Sequence, residues 1–166
     1  RSLLEHFKAK RYDDAEYLAV SLTKRFPLHQ FAWKVLGAVL KQTGRLTESL
    51  TATQESARLA PEDAEAHKNL GITLQELGKL DEAEASCRQA VALKPDFSEA
   101  YNSLGNILKE QSKFDEAEAV FKQAIALKPE YVLAHNNLGI TLHVLGRLDE
   151  AEASYKRAIA LKPDYA

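Results

Sequence analysis

The chain has 166 residues, 45% of them hydrophobic and 28% charged, a balance that belongs to folded, soluble chains and excludes a disordered one. Its 22 Lys and Arg face 24 Asp and Glu for a net charge of -2, with the two signs alternating along the chain, so the concentrated basic face of a nucleic-acid binder is missing. Cys87 is the single cysteine, which excludes an intrachain disulfide and favours a reducing, cytoplasmic setting; the short apolar runs hold neither a membrane span nor a leader, and the start at Arg1 without methionine reads as a fragment.

A period of 34 residues runs through the chain: Leu36-Gly37, Leu70-Gly71, Leu104-Gly105 and Leu138-Gly139 keep one phase, as do Pro27, Pro61, Pro95, Pro129 and Pro163. Residues 1–29 form a partial unit that lacks most of a first helix. Residues 30–63, 64–97, 98–131 and 132–165 form full units. Each reads as an amphipathic segment, a turn, a second amphipathic segment and a proline stop, which is a helical hairpin.

Local signals in chain order support the hairpins. Gly44, Gly78 and Gly146 stand where the chain reverses, and glycine takes a left-handed conformation there without steric cost; Ser112 replaces it in the fourth unit, where a strained or differently shaped turn is expected. In the second unit Ser49, Thr53 and Ser56 replace Ala83, Cys87 and Ala90 of the third, so their hydroxyls must weaken the packing or find carbonyls. Asp81, Asp115 and Asp149 are placed to cap second helices, with Glu84, Glu118 and Glu152 completing capping boxes, and Asp96 with Glu99 repeats the device on a first helix. Pro95, Pro129 and Pro163 stop the second helices, and the preceding Lys94, Lys128 and Lys162 complement their negative ends.

Leu-Gly, then Gly-x-Leu-Asp-Glu-Ala, then Ala and Pro at this spacing resembles the tetratricopeptide repeat family, over essentially every residue. The resemblance implies an all-α fold, a right-handed α-solenoid of antiparallel hairpins, with first helices lining a concave groove. It also implies a bulky packing role for the equivalent Trp33, His67, Tyr101 and His135, which argues against a metal site at the two histidines. Gly71, Gly105 and Gly139 would let paired helices approach closely. Cys87 shares its place with Phe121 and Tyr155, which makes it a buried small hydrophobe with no base to activate it. Carboxylates that recur in every unit are structural; a catalytic pair would occur once. Neither a metal, a cofactor nor a catalytic site is expected.

Where the third and fifth units differ, the first helix changes: Glu65 to Leu133, Lys68 to Asn136, Gln75 to His143 and Glu76 to Val144. An amide series accompanies these positions. Asn69 and Asn137 precede the Leu-Gly pair, with Ser103 and Val35 interrupting the ladder, and Asn102, Asn106 and Asn136 lie nearby. Asparagine both donates and accepts, so such a series can bond an extended peptide backbone, and it is similar to the asparagine-lined superhelix of O-linked N-acetylglucosamine transferases. The carboxylate clamp that grips peptide C-termini in this family needs Lys and Asn four apart, but Lys34 is followed by Ala38 and Lys68 by Ile72.

The expected function is a non-enzymatic protein interaction scaffold that binds a peptide in its groove through Asn69, Asn102, Asn106, Asn136, Asn137, Lys68, Lys109 and His143. The alternatives are the substrate-recognition arm of a larger glycosyltransferase or sulfotransferase, and a module that self-associates end to end. The second alternative rests on an uncapped C-terminal repeat, in which Tyr155 and Ile159 are expected to be left partly uncovered where the chain stops at Ala166.

Overall fold

The computed structural model describes residues 2–162, and these hold ten helices and no strand. They are α1 (Leu3–Lys8), α2 (Tyr12–Arg25), α3 (Gln30–Gln42), α4 (Leu46–Leu59), α5 (Ala64–Glu76), α6 (Leu80–Leu93), α7 (Ser98–Glu110), α8 (Phe114–Leu127), α9 (Val132–Val144) and α10 (Leu148–Leu161). Pro163 lies outside the described residues. Two compact units form, residues 1–93 with α1 to α6 and residues 94–166 with α7 to α10. Successive helices pair as antiparallel hairpins, and the array is all-α.

One turn geometry closes all five hairpins. In the turn after α3, the Gly44 N–H donates to Lys41 O at 3.1 Å and the Arg45 N–H to Leu40 O at 2.9 Å, a left-handed cap that satisfies two orphan carbonyls. Gly78 and Gly146 repeat it with φ of 72° and 75°. Ser112 adopts the same turn at φ 60° and keeps both bonds, at 3.0 and 2.8 Å, so the shape is unchanged and the cost is left-handed strain. Lys10 does likewise at φ 56°, closing the abbreviated first hairpin.

The helix starts differ from the sequence-based expectation. α8 and α10 begin two residues early, with Lys113 and Arg147 at the N-cap and no side-chain cap, so Asp115 and Asp149 lie inside the first turn, as Asp81 does in α6. There they complement the helix dipole, and in α8 and α10 no side chain caps the helix start. Glu84, Glu118 and Glu152 pair with Arg88, Lys122 and Lys156 one turn on, and in α8 and α10 no capping box forms. The N-cap of α7 is Phe97 rather than Asp96, and Glu99 bonds Ser98 Oγ and Lys128 Nζ. Side-chain caps occur instead at Ser2, His29 and Asp63. The Lys94 and Lys128 ammonium groups lie over the rings of Phe97 and Tyr131, 5.0 and 5.1 Å from the centroids.

The four hairpins from α3 onward are each held where the first-helix glycine meets the second helix. A Cβ on Gly105 would lie 2.5 Å from Phe121 Cε1, and one on Gly37 would lie 2.7 Å from Thr53 Cγ2. Gly71 faces Cys87 and Gly139 faces Tyr155 in the same way. The hydroxyls of the second repeat are satisfied: Ser49 Oγ donates to Gly37 O at 2.8 Å, Thr53 Oγ1 to Ser49 O at 2.9 Å, and Ser56 Oγ accepts from Gln30 Nε2 at 3.1 Å. Three of the bulky equivalent positions tie their first helix to the proline six residues upstream. Trp33 Nε1 donates to Pro27 O at 2.7 Å, and Nε2 of His67 and His135 lies 2.9 Å from Pro61 O and Pro129 O, which places the ring proton on that nitrogen.

Two substitutions test these contacts. Ser112→Gly should raise stability by about 1 kcal/mol, since glycine removes the left-handed strain. Gly105→Ala should lower it by about 1–3 kcal/mol, because Phe121 is fully buried and the added methyl overpacks it, outweighing the roughly 1 kcal/mol that alanine gains by helix propensity. Denaturant midpoints by circular dichroism measure both, and a more stable Gly105→Ala protein would show that the close approach is not a constraint.

Candidate functional site

The first helices carry the residues expected to bind a ligand, and each unit presents its own surface. In the second unit, α9 has Leu133, Ile140 and Val144 at 43%, 36% and 53% exposure, with Asn136 and His143 on the same face. Their spacing follows helical periodicity, while Ala134, Leu138 and Leu142 fill the buried side. A helix apolar on both faces buries one in the core and leaves the other for a partner. Ile140 completes this stripe and is absent from the sequence-based set. The signal was legible, since α9 contains no Lys, Arg, Asp or Glu.

The amides separate into two groups. Asn106, Asn136 and Lys109 are half-buried at the surface of α7 and α9, and His143 is exposed. Asn102 is only 7% exposed, and its Oδ1 accepts from Asn137 Nδ2 at 3.1 Å, so these two tie α7 to α9. Asn102 is therefore a packing residue in this structure, and Asn137 offers only its remaining bonding capacity.

In the first unit, Lys68 and Asn69 are half-buried on α5, and Asn69 lines a cleft of about 60 Å3 with Ala38, Lys41 and Ile72. The surrounding charges are matched within the unit. Lys34 Nζ sits 2.7 Å from Asp63 Oδ2 and 3.0 Å from Glu65 Oε2, and Lys41 Nζ is 3.4 Å from Glu76 Oε1. Leu133 and Val144 take the places of Glu65 and Glu76 on α9, so the corresponding ion pairs have no counterpart there.

Asp63 is the most connected of these groups. Its Oδ1 accepts from the N–H groups of Glu65 and Ala66 at 2.9 and 3.2 Å, and its Oδ2 accepts from Gln30 Nε2 at 3.0 Å as well as pairing with Lys34. Partial burial pushes its carboxyl upward, but the Lys34 ammonium and the two backbone donors outweigh it and hold the group below the usual carboxylate range. Burial likewise works against the charge on Lys34, and the bonds to Asp63 and Glu65 overcome it and raise the lysine. The Cys87 thiol is fully buried, and burial pushes it up to about 12, which leaves it an unreactive packing group. Among the described residues no three His, Cys, Asp or Glu side chains converge on a point, and no helix is long and apolar enough to cross a membrane.

Comparison with known proteins points one way. The family models described as tetratricopeptide repeat match residues 3–64, 64–97 and 102–166. Among solved structures, MamA is 21% identical with a TM-score of 0.85, covering 96% of this chain and 94% of its own. PilW, a widely conserved type IV pilus biogenesis factor, is 23% identical with a TM-score of 0.88, covering 96% and 74%. YrrB, a TPR protein with an unusual peptide-binding site, is 20% identical with a TM-score of 0.78, covering 98% and 84%. At these identities the likeness is one of fold. No curated protein matches the sequence.

The Asp63 contacts give a pH-dependent outcome. A carboxyl whose folded pKa is depressed contributes stability that is present above its unfolded value, about 3.9, and is lost as the pH falls through the folded value. Asp63→Ala should cost about 1–2 kcal/mol at pH 7, the size of a lost helix cap. The gap to the parent protein should close as the pH falls below about 4. Urea midpoints across that range measure it, and a gap that widened in acid would contradict the assignment.

Proposed function

Because the chain belongs to the tetratricopeptide repeat family, we propose that it is a non-catalytic interaction scaffold that holds a peptide on the exposed face of its first helices. The observation that carries this reading is the uncharged surface of α9, where Leu133, Ile140 and Val144 form an exposed apolar stripe beside Asn136 and His143. Each part has a physical role. The apolar stripe takes alternate or helix-spaced apolar side chains of the ligand, while Asn136 and Asn106 donate to and accept from its backbone. Lys109 adds a positive charge at the edge of this surface. The peptide-binding site named for YrrB supports the same kind of ligand here.

On the first unit, the pairs Lys34–Asp63 and Lys41–Glu76 already use the charges that a ligand would otherwise meet. A ligand that opened them would lose those contacts, so the second unit is the preferred docking surface. Lys68 and Asn69 belong to the separate surface of α5 in the first unit.

The test is selection from a random peptide library on the immobilised chain, followed by calorimetry of the selected peptides. Ile140→Asp with Val144→Asp should weaken binding by at least ~10-fold, because a charge replaces buried apolar contact. Asn106→Ala with Asn136→Ala should cost about 1–3 kcal/mol together, at 0.5–1.5 kcal/mol per bond. Gln123→Ala with Arg157→Ala, both exposed on second helices, is the control and should bind as the parent does. Loss of binding in the control with none in the α9 variants would move the ligand to the second-helix surface.

A further inference from the structure

Two neighbouring pairs of first helices, α3 with α5 in the first unit and α7 with α9 in the second, match step for step, because two repeat periods separate them. Between α3 and α5 run two ion pairs, Lys34–Glu65 at 3.0 Å and Lys41–Glu76 at 3.4 Å. Between α7 and α9 the first pair is replaced whole: Asn102 and Leu133 stand in those places, and Asn102 bonds Asn137 instead. The second is replaced by half. Val144 stands where Glu76 does, while Lys109 keeps the lysine.

Lys109 is thus left at a pairing position that has lost its carboxylate. Its own helix offers no substitute, since the residues three and four steps away are Asn106, Ser112, Gly105 and Lys113. Glu99 is committed to Lys128, Glu118 to Lys122 and Arg147, and Glu110 has a contact of its own. Among the described residues no ion pair forms at Lys109, which is half-buried. Because α9 holds no Lys, Arg, Asp or Glu, this ammonium is the unpaired charge that a ligand lying against α9 meets. The exposure of Leu133 and Val144 belongs to the repeat itself, as Glu65 and Glu76 are exposed at the same steps of α5.

We propose, resting on the peptide-scaffold reading of this surface, that the segment held on α9 carries an internal glutamate or aspartate beside its apolar residues, and that this side chain pairs with Lys109 as Glu76 pairs with Lys41. Charge complementarity selects the occupant. A segment seated on Leu133, Ile140 and Val144 also covers the half-buried ammonium, and a covered charge is costly unless a counter-charge arrives with the segment. A neutral or basic segment brings none.

The pairing also places the acidic residue within the segment. Lys109 occupies the step that faces Val144, the last residue of the apolar row, so the carboxylate flanks the ligand's apolar residues and does not interrupt them. From Leu133 to Val144 the row runs about 16 Å at the rise of an α-helix, a length spanned by about five residues of extended peptide or three turns of helix. Since the contact lies at the surface, affinity should fall with added salt.

The probe is a random peptide library selected on the immobilised parent chain, with the affinities of the selected peptides read by calorimetry and the helicity of each variant by circular dichroism. The peptides should share an acidic residue at one end of an apolar stretch, and Lys109→Glu should weaken them by at least ~10-fold through like-charge contact. Changing that acidic residue to lysine should restore affinity for Lys109→Glu and lower it for the parent. Lys109→Gln should weaken binding by roughly 2–5-fold, the scale of an exposed pair, and carries the test if Lys109→Glu loses helicity. Val144→Glu rebuilds the partner that Lys41 has, so it should weaken the acidic peptides by about 10-fold more than Val144→Gln does. Free-acid and amidated forms of each peptide should bind alike; dependence on the free C-terminus overturns the proposal in favour of end recognition. Peptides that carry no acidic residue, or that bind the Lys109 variants as they bind the parent, also overturn it, and their loss on Ile140→Asp with Val144→Asp then leaves the scaffold reading standing. Peptides indifferent to every one of these changes, or a selection that yields no binder, overturn both.

Discussion

The contact between each first-helix glycine and the second helix of its hairpin sets the rest of the structure. Without a Cβ at Gly105 the helix comes near enough for the Phe121 ring to lie against its backbone, and Gly139 admits Tyr155 in the same way. The partner side chain varies from threonine to cysteine to an aromatic ring while the glycine does not, so the space is a property of the repeat and the filling a property of each copy. Close packing of this kind is felt at the level of single methyl groups. In the polar repeat the same joint also carries a hydrogen bond, from Ser49 Oγ to the Gly37 carbonyl.

Once the hairpins are closed, electrostatics organises what surrounds them. Isolated surface ion pairs contribute little, but two kinds here are better placed. Arg45 and Arg147 each join two carboxylates with a planar fork, and Asp63 gathers a lysine, an amide and two backbone donors at one helix start. The first couples a turn to the preceding helix; the second couples α3 to α5. Both consume charge that would otherwise face a ligand. The absence of charge on α9 is then informative, because the same first-helix positions are used for ion pairing in the other unit. A surface relieved of that task is free to be apolar, and exposed apolar side chains cost solubility unless a partner covers them.

The sequence by itself determined the fold class and most of the element order, because each relevant signal is local. A 34-residue period, glycine at the reversals and proline after the second helices read directly as hairpins, and the turn glycines have the left-handed φ this requires. Leu133 and Val144 were also legible as changed positions, since copies of one repeat can be compared without coordinates. Tertiary structure decided the details that depend on which atoms meet. The aspartates of the Leu-Asp-Glu-Ala segments look like caps, yet the N-cap lies two residues earlier, at Arg147 in α10, whose side chain bonds Glu118 and Glu150 instead of capping the helix. Asn102 and Asn106 are alike in sequence, and only packing reveals that the first is buried against Asn137 while the second stays at the surface. Spacing states which helix a residue occupies and roughly which way it faces. Whether its polar group is already satisfied depends on a neighbour 29 to 35 residues away, and that distance is closed only by folding.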